Sequence, residues 1–128
     1  MSWTLKQAPS QAGRTAVVTG ANIGLGYETA LALAAKGCTV VLACRNPAKA
    51  EAAKAAILAR HPTARVECQA LDLASLASAR AFAAAYRKRH ATLDLLINNA
   101  GIMMPPYALS EDGFESQLAA NYLGHFAL

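Results

Sequence analysis

The sequence predicts an α/β domain built on a doubly wound, parallel sheet in three layers. Three observations support this. Short apolar runs alternate regularly with alanine-rich helical stretches, the pattern of strand–helix–strand units. The strand-like runs are apolar on both faces, as in a parallel sheet covered on each side. Three glycines crowd one strand-to-helix corner, "TGANIGLG" at residues 19–26.

The elements follow in order. "TAVVT" (Thr15–Thr19) is an apolar β run with glycine on each flank, and residues 25–36 form a helix of strong helix formers that Gly37 closes. "TVVLAC" (Thr39–Cys44) is a second buried strand. Asn46-Pro47 supplies a cap and a first-turn proline for a helix to about Arg60, which His61-Pro62 ends. "RVECQAL" (65–71) reads as a third strand. Ser75 caps a helix with Leu76, Ala79, Phe82, Ala83 and Tyr86 at helical spacing. "LDLLIN" (93–98) is the fourth strand. After Pro105-Pro106, the residues Phe114, Leu118, Tyr122 and Phe126 mark one stripe of a final helix.

Right-handed crossovers place these strands in the order 3-2-1-4. The order reverses between strands 1 and 4, and a ligand crevice opens at their carboxyl ends. Both "TGANIGLG" and "NNAG" (98–101) fall on that edge.

Composition narrows the function. The 128 residues make one domain at most, 1–128, with 1–13 as a lead-in; 55% are apolar and only 16% charged, which argues against disorder. The net charge of +4 is dispersed, apart from "RKRH" (87–90) at a helix end, where it complements the helix dipole. Without a basic groove interleaved with aromatics, no nucleic-acid partner is expected. Three cysteines without a C-x-x-C read as reduced thiols, no metal site is expected, and neither a leader nor a transmembrane run appears; the expectation is a cytoplasmic protein.

The glycine corner has a physical purpose. A strand turning directly into a helix offers free backbone N–H groups and the positive end of the helix dipole, an anion site suited to a pyrophosphate. Gly20 permits the tight exit, and bare Cα atoms at Gly24 and Gly26 let phosphate oxygens and the neighbouring strand approach. The spacing is G-x-x-x-G-x-G. A ligand-free turn is the competing reading of this segment alone.

"TGANIGLG", "LDL" (71–73), "NNAG" and "NYLGHF" (121–126) together resemble the short-chain dehydrogenase/reductase family, and "VLACRNPAKAE" resembles its retinol-dehydrogenase-like branch. The resemblance runs from Gly13 onward and implies the N-terminal half of such a protein. It implies a Rossmann-type fold, a nicotinamide cofactor and the interconversion of an alcohol and a carbonyl. By position, Thr19, Gly20, Ala21, Asn22, Ile23, Gly24, Leu25 and Gly26 would bind the cofactor phosphates. Asp72 and Leu73 would hold the adenine, Asn98, Asn99, Ala100 and Gly101 would line the adenosine side, and Asn121 would be the catalytic asparagine, its turn freeing a carbonyl that holds a relay water.

Each assignment has a structural competitor: helix capping for Asp72, turn formation for Asn98 and Asn99, a solvated face for Asn121. Strand 2 ends Cys44-Arg45-Asn46 with no acid to accept from a ribose hydroxyl. Arg45 stands about twenty residues past the glycine turn, where a guanidinium suits a 2′-phosphate. NADP(H) is therefore expected over NAD(H), with Arg45 and Asn46 at that end. Ile23 replaces the hydroxyl-bearing or basic residue usual in the family and is expected to weaken binding.

The resemblance also implies a catalytic tyrosine with a lysine four residues on. Tyr27, Tyr86, Tyr107 and Tyr122 are followed at that spacing by Leu31, His90, Glu111 and Phe126. The 128 residues are thus expected to bind cofactor without turnover. A non-catalytic nucleotide-binding module is the alternative reading, and a flavodoxin-like domain for another phosphate ligand fits the motifs less well. The implied substrate is a small, apolar alcohol or carbonyl compound, Met103, Met104 and Tyr107 are read as pocket-mouth or packing residues, and the full-length relative is expected to be a monomer or homo-oligomer. Strand 4 and the Phe114–Phe126 stripe are expected to be exposed.

Overall fold

The computed structural model describes residues 2–128. A 3₁₀ turn, Leu5–Gln7, precedes β1 (Thr15–Thr19), α1 (Gly24–Ala35), β2 (Thr39–Cys44), α2 (Pro47–Arg60), β3 (Arg65–Ala70), α3 (Leu76–Arg89) and β4 (Leu95–Ile97). A π-helical segment, Leu118–Leu123, runs into α4 (Gly124–Ala127). The sheet is parallel in the order β3-β2-β1-β4, with Thr15 beside Thr39 and Ala16 beside Leu95. The Rossmann-type architecture expected from the sequence is the one observed.

Alternation along the strands sorts the core onto two faces. Ala16, Val18, Val40 and Leu42 meet Ala30, Leu31 and Ala34 of α1 and Ala50, Ala53 and Ile57 of α2. Val17, Val41 and Ala43 meet Ala79, Phe82 and Tyr86 of α3. Alanine at the contact points lets the helices lie close to the sheet. Local signals set the helix ends: Asn46 Oδ1 accepts from the Lys49 N–H at 3.0 Å, Ser75 Oγ accepts from the Ser78 N–H at 3.1 Å, and Gly37 leaves α1 at φ +90°.

Three expectations need correction. β3 is not apolar on both faces: only Val66 is buried, because β3 is a sheet edge. Its polar residues serve neighbours instead, Glu67 facing His90 and Arg89, and Gln69 donating to the Phe82 carbonyl. β4 is half its expected length, since Asp94 turns its carboxylate onto the Thr15 N–H at 2.8 Å. The final helix is partly π, and its buried residues are Ala119 and Gly124. A Cβ on Gly124 would lie 2.1 Å from the Leu73 carbonyl oxygen, so the chain approaches there backbone to backbone. The aromatic stripe faces water as expected, from Phe114 at 40% exposure to Phe126 at 82%. Leu96 of β4 is exposed as well.

Among the described residues no helix is long and apolar enough to cross a membrane, and no three His, Cys, Asp or Glu side chains gather as a metal site.

Candidate functional site

A crevice of about 420 Å³ opens at the carboxyl ends of β1 and β4, where the strand order reverses. The first turn, β1 to α1, forms one wall. Gly20 leaves β1 at φ +63°, and a Cβ there would lie 2.9 Å from the Ala100 Cα. Gly26 is barred from a side chain more strongly, since its Cβ would meet Asn99 Nδ2 and the Gly20 carbonyl at 2.4 Å. Gly24 has a left-handed φ and open space around it. The three glycines thus act differently: two admit neighbouring backbone, and the third keeps the corner clear.

Ile23 occupies the N-cap of α1 in extended conformation and offers no capping hydrogen bond. The first-turn N–H groups of α1 therefore lack a side-chain acceptor, and no acidic residue lies in that turn. This leaves donors and dipole directed at the crevice, the arrangement that an anionic phosphate satisfies.

The expected site residues distribute as follows. Gly20, Asn22, Ile23, Arg45, Asp72, Leu73, Asn99, Ala100 and Gly101 line the crevice. Ala21 is fully buried beneath the corner, whereas Leu25, Asn46 and Asn98 are exposed outside the lining. Arg45 is exposed and, among the described residues, has no ionic partner. Asp72 serves its own turn, Oδ1 accepting from the Ala74 N–H at 3.0 Å, and it also borders the crevice. Asn99 is a brace: its Nδ2 donates to the carbonyls of Thr19 at 3.0 Å and Gly20 at 3.4 Å. Met103, Met104 and Tyr107 are each at least 80% exposed, so the packing reading fails for them.

Asn121 has the polar partner its mid-helix place demands. Its Oδ1 accepts from the Ile102 N–H and its Nδ2 donates to the Ile102 carbonyl, both at 2.8 Å. This two-pronged bond ties the π segment to the crevice rim. Gln117 adds a second tie, accepting from the Met104 N–H at 3.0 Å. Tyr86 is excluded from proton chemistry: it is buried, its hydroxyl donates to the Thr92 carbonyl, and burial pushes its pKa up.

Sequence reasoning missed His125, and it gave Thr19 only a place in the phosphate-binding turn. Thr19 is fully buried, and its Oγ1 accepts from the Asn99 and Ala100 N–H groups, each at 2.9 Å. His125 reaches Thr19 Oγ1 with Nε2 at 2.8 Å and the Asn121 carbonyl with Nδ1 at 3.1 Å. The available signal was the i, i+4 spacing of Asn121 and His125 on one helical face.

Comparison with known proteins agrees with this geometry. The short chain dehydrogenase family model matches residues 14–128. The chain is 49% identical over 123 residues to retinol dehydrogenase 13 of Mus musculus, covering 94% of this chain and 37% of that protein. An uncharacterised protein from Mycobacterium paratuberculosis has a crystal structure with 52% identity and a TM-score of 0.85, covering 100% of this chain and 44% of that one. A metagenomic short-chain oxidoreductase, crystallised in complex with NADP, is 32% identical with a TM-score of 0.78, covering 91% and 53% of the two chains. The chain thus spans little more than a third of the curated relative's length.

Proposed function

The chain belongs to the short-chain dehydrogenase family, and from that premise we propose that it binds NADP(H) in preference to NAD(H) as the cofactor portion of an alcohol–carbonyl oxidoreductase. The observation that carries this reading is the β1–α1 corner, where Cβ-intolerant glycines and uncapped first-turn amides leave a backbone cradle for a pyrophosphate. The bound nicotinamide supplies the hydride chemistry. The chain's own residues grip and orient. The amides of residues 20–26 hold the phosphates, and Asp72 accepts from the adenine amino group. Residues 98–101 border the adenosine. Arg45, lacking an ionic partner, donates to the 2′-phosphate from the end of β2. The Asn121 turn, fastened to Ile102, stands at the substrate end.

A small, apolar alcohol or carbonyl compound is the proposed substrate class, and three free thiols favour a reducing, cytoplasmic setting.

Fluorescence titration with NADPH and NADH tests the proposal. NADPH should bind more tightly, and Arg45→Ala should weaken NADPH by about tenfold to a hundredfold, the loss of a charge-assisted contact, while leaving NADH nearly unchanged. Equal losses for both nucleotides would remove the 2′-phosphate role. No binding of either would remove the proposal.

A further inference from the structure

We infer that His125 is a positioning residue, held by Thr19 in the Nδ1–H tautomer so that it fixes the Asn121 carbonyl beside the crevice. The inference rests on the proposed oxidoreductase reading for its purpose, though its geometry stands separately.

The bonds determine the protons. A hydroxyl has two acceptor lone pairs and one proton to donate. Thr19 Oγ1 accepts from two N–H groups, Asn99 and Ala100, each at 2.9 Å. Its own proton must therefore go elsewhere. The Ile97 carbonyl lies 3.4 Å away, whereas His125 Nε2 lies at 2.8 Å, the distance of a sound hydrogen bond. Nε2 is then an acceptor, and a neutral imidazole carries its proton on Nδ1.

The far side of the ring gives the same answer independently. Nδ1 lies 3.1 Å from the Asn121 carbonyl oxygen, which can only accept. The opposite tautomer would set an N–H against a hydroxyl with no lone pair left, and a ring lone pair against a carbonyl lone pair. Both contacts would be lost together.

The consequence falls on Asn121. Its side chain is committed to the Ile102 backbone on both atoms, so the acceptor it has left to offer is its backbone carbonyl. The imidazole takes one lone pair of that oxygen and fixes its direction, leaving the second for a water. Thr19 holds the ring from the end of β1, where it is fully buried. One neutral relay of hydrogen bonds thus joins the Asn99–Ala100 backbone to the π segment.

Long-range ¹H–¹⁵N correlation spectra of the labelled chain at neutral pH read the tautomer directly. His125 should appear as Nδ1–H, the tautomer that free histidine disfavours, with His61 and His90 as internal references. Thr19→Ser keeps the hydroxyl and should retain Nδ1–H. Thr19→Val should release the ring toward Nε2–H. If the valine variant fails to fold, His125→Phe gives the second reading: the Asn121 carbonyl ¹³C resonance should move upfield as its donor disappears. An Nε2–H ring in the unaltered chain, or an Asn121 carbonyl indifferent to His125→Phe, would overturn the inference. NADPH titrated into the same samples separates the two claims. Absent binding with an Nδ1–H ring would remove the proposed function alone, and normal binding with an Nε2–H ring would remove the positioning role alone.

Discussion

The two walls of the crevice are held in place by different means. At the β1–α1 corner the constraint is backbone volume: Gly20 and Gly26 sit so close to Ala100, Asn99 and each other that no Cβ fits. The opposite wall, from Ile102 through Asn121 to His125, has one such backbone contact, Gly124 on Leu73, and is otherwise held by side-chain hydrogen bonds over half-exposed ground. A corner set by excluded volume is rigid and tolerates no substitution. A wall set by polar brackets can be released one bond at a time.

The sharpest way to break this comparison is to add one methyl group to each wall. Gly26→Ala pushes a Cβ into Asn99 and the Gly20 carbonyl, within the centre of the sheet's edge, and should cost about 3 kcal/mol in urea denaturation. Gly124→Ala drives a Cβ into the Leu73 backbone, close to its carbonyl oxygen, and should cost about 3 kcal/mol as well. A much smaller cost for Gly124→Ala would mean that the second wall yields where the corner does not.

Asn121→Ala removes both bonds to Ile102 and should cost about 1 kcal/mol, with faster amide exchange at residue 102 and none of the change at residues 99 and 100. Exchange that accelerates on both walls would show them coupled. Ile23→Ser gives α1 the cap it lacks and should stabilise the corner by about 1 kcal/mol, read as a higher melting temperature.

The smallest effect concerns pH. Glu115 accepts from the Gln117 and Leu118 N–H groups at the start of the final helix, and these bonds hold its carboxyl below the ordinary value. A lowered folded value means the contribution is complete above the unfolded pKa and disappears as pH falls through the folded one. Between about pH 5 and pH 3, stability should therefore fall less steeply in Glu115→Gln than in the unaltered chain.

Legibility in the sequence followed the range of the forces involved. β1, β2 and α2 begin and end where the sequence predicts, because glycine, Asn46-Pro47 and continuous apolar runs act within a few residues. Most of the crevice lining was legible as well, since the strand order alone brings residues 20–23 and 99–101 to one edge. The π turn was not, because an apolar stripe at uniform four-residue spacing is compatible with a widened turn or a regular one. The Thr19–His125 bond was invisible for another reason: its partners stand 106 residues apart, and neither carries a local signal of the other. Asp72 shows the limit from the other side: the helix cap is Ser75, and Asp72 closes the turn before it while also bordering the crevice.

That same long-distance bond bears on how the domain is made. Thr19 leaves the ribosome 106 residues before His125, its partner at 2.8 Å. Until residue 125 arrives, the Thr19 proton has only the more distant Ile97 carbonyl to donate to, so the β1–α1 corner gains its last hydrogen bond well after its own segment has been synthesised.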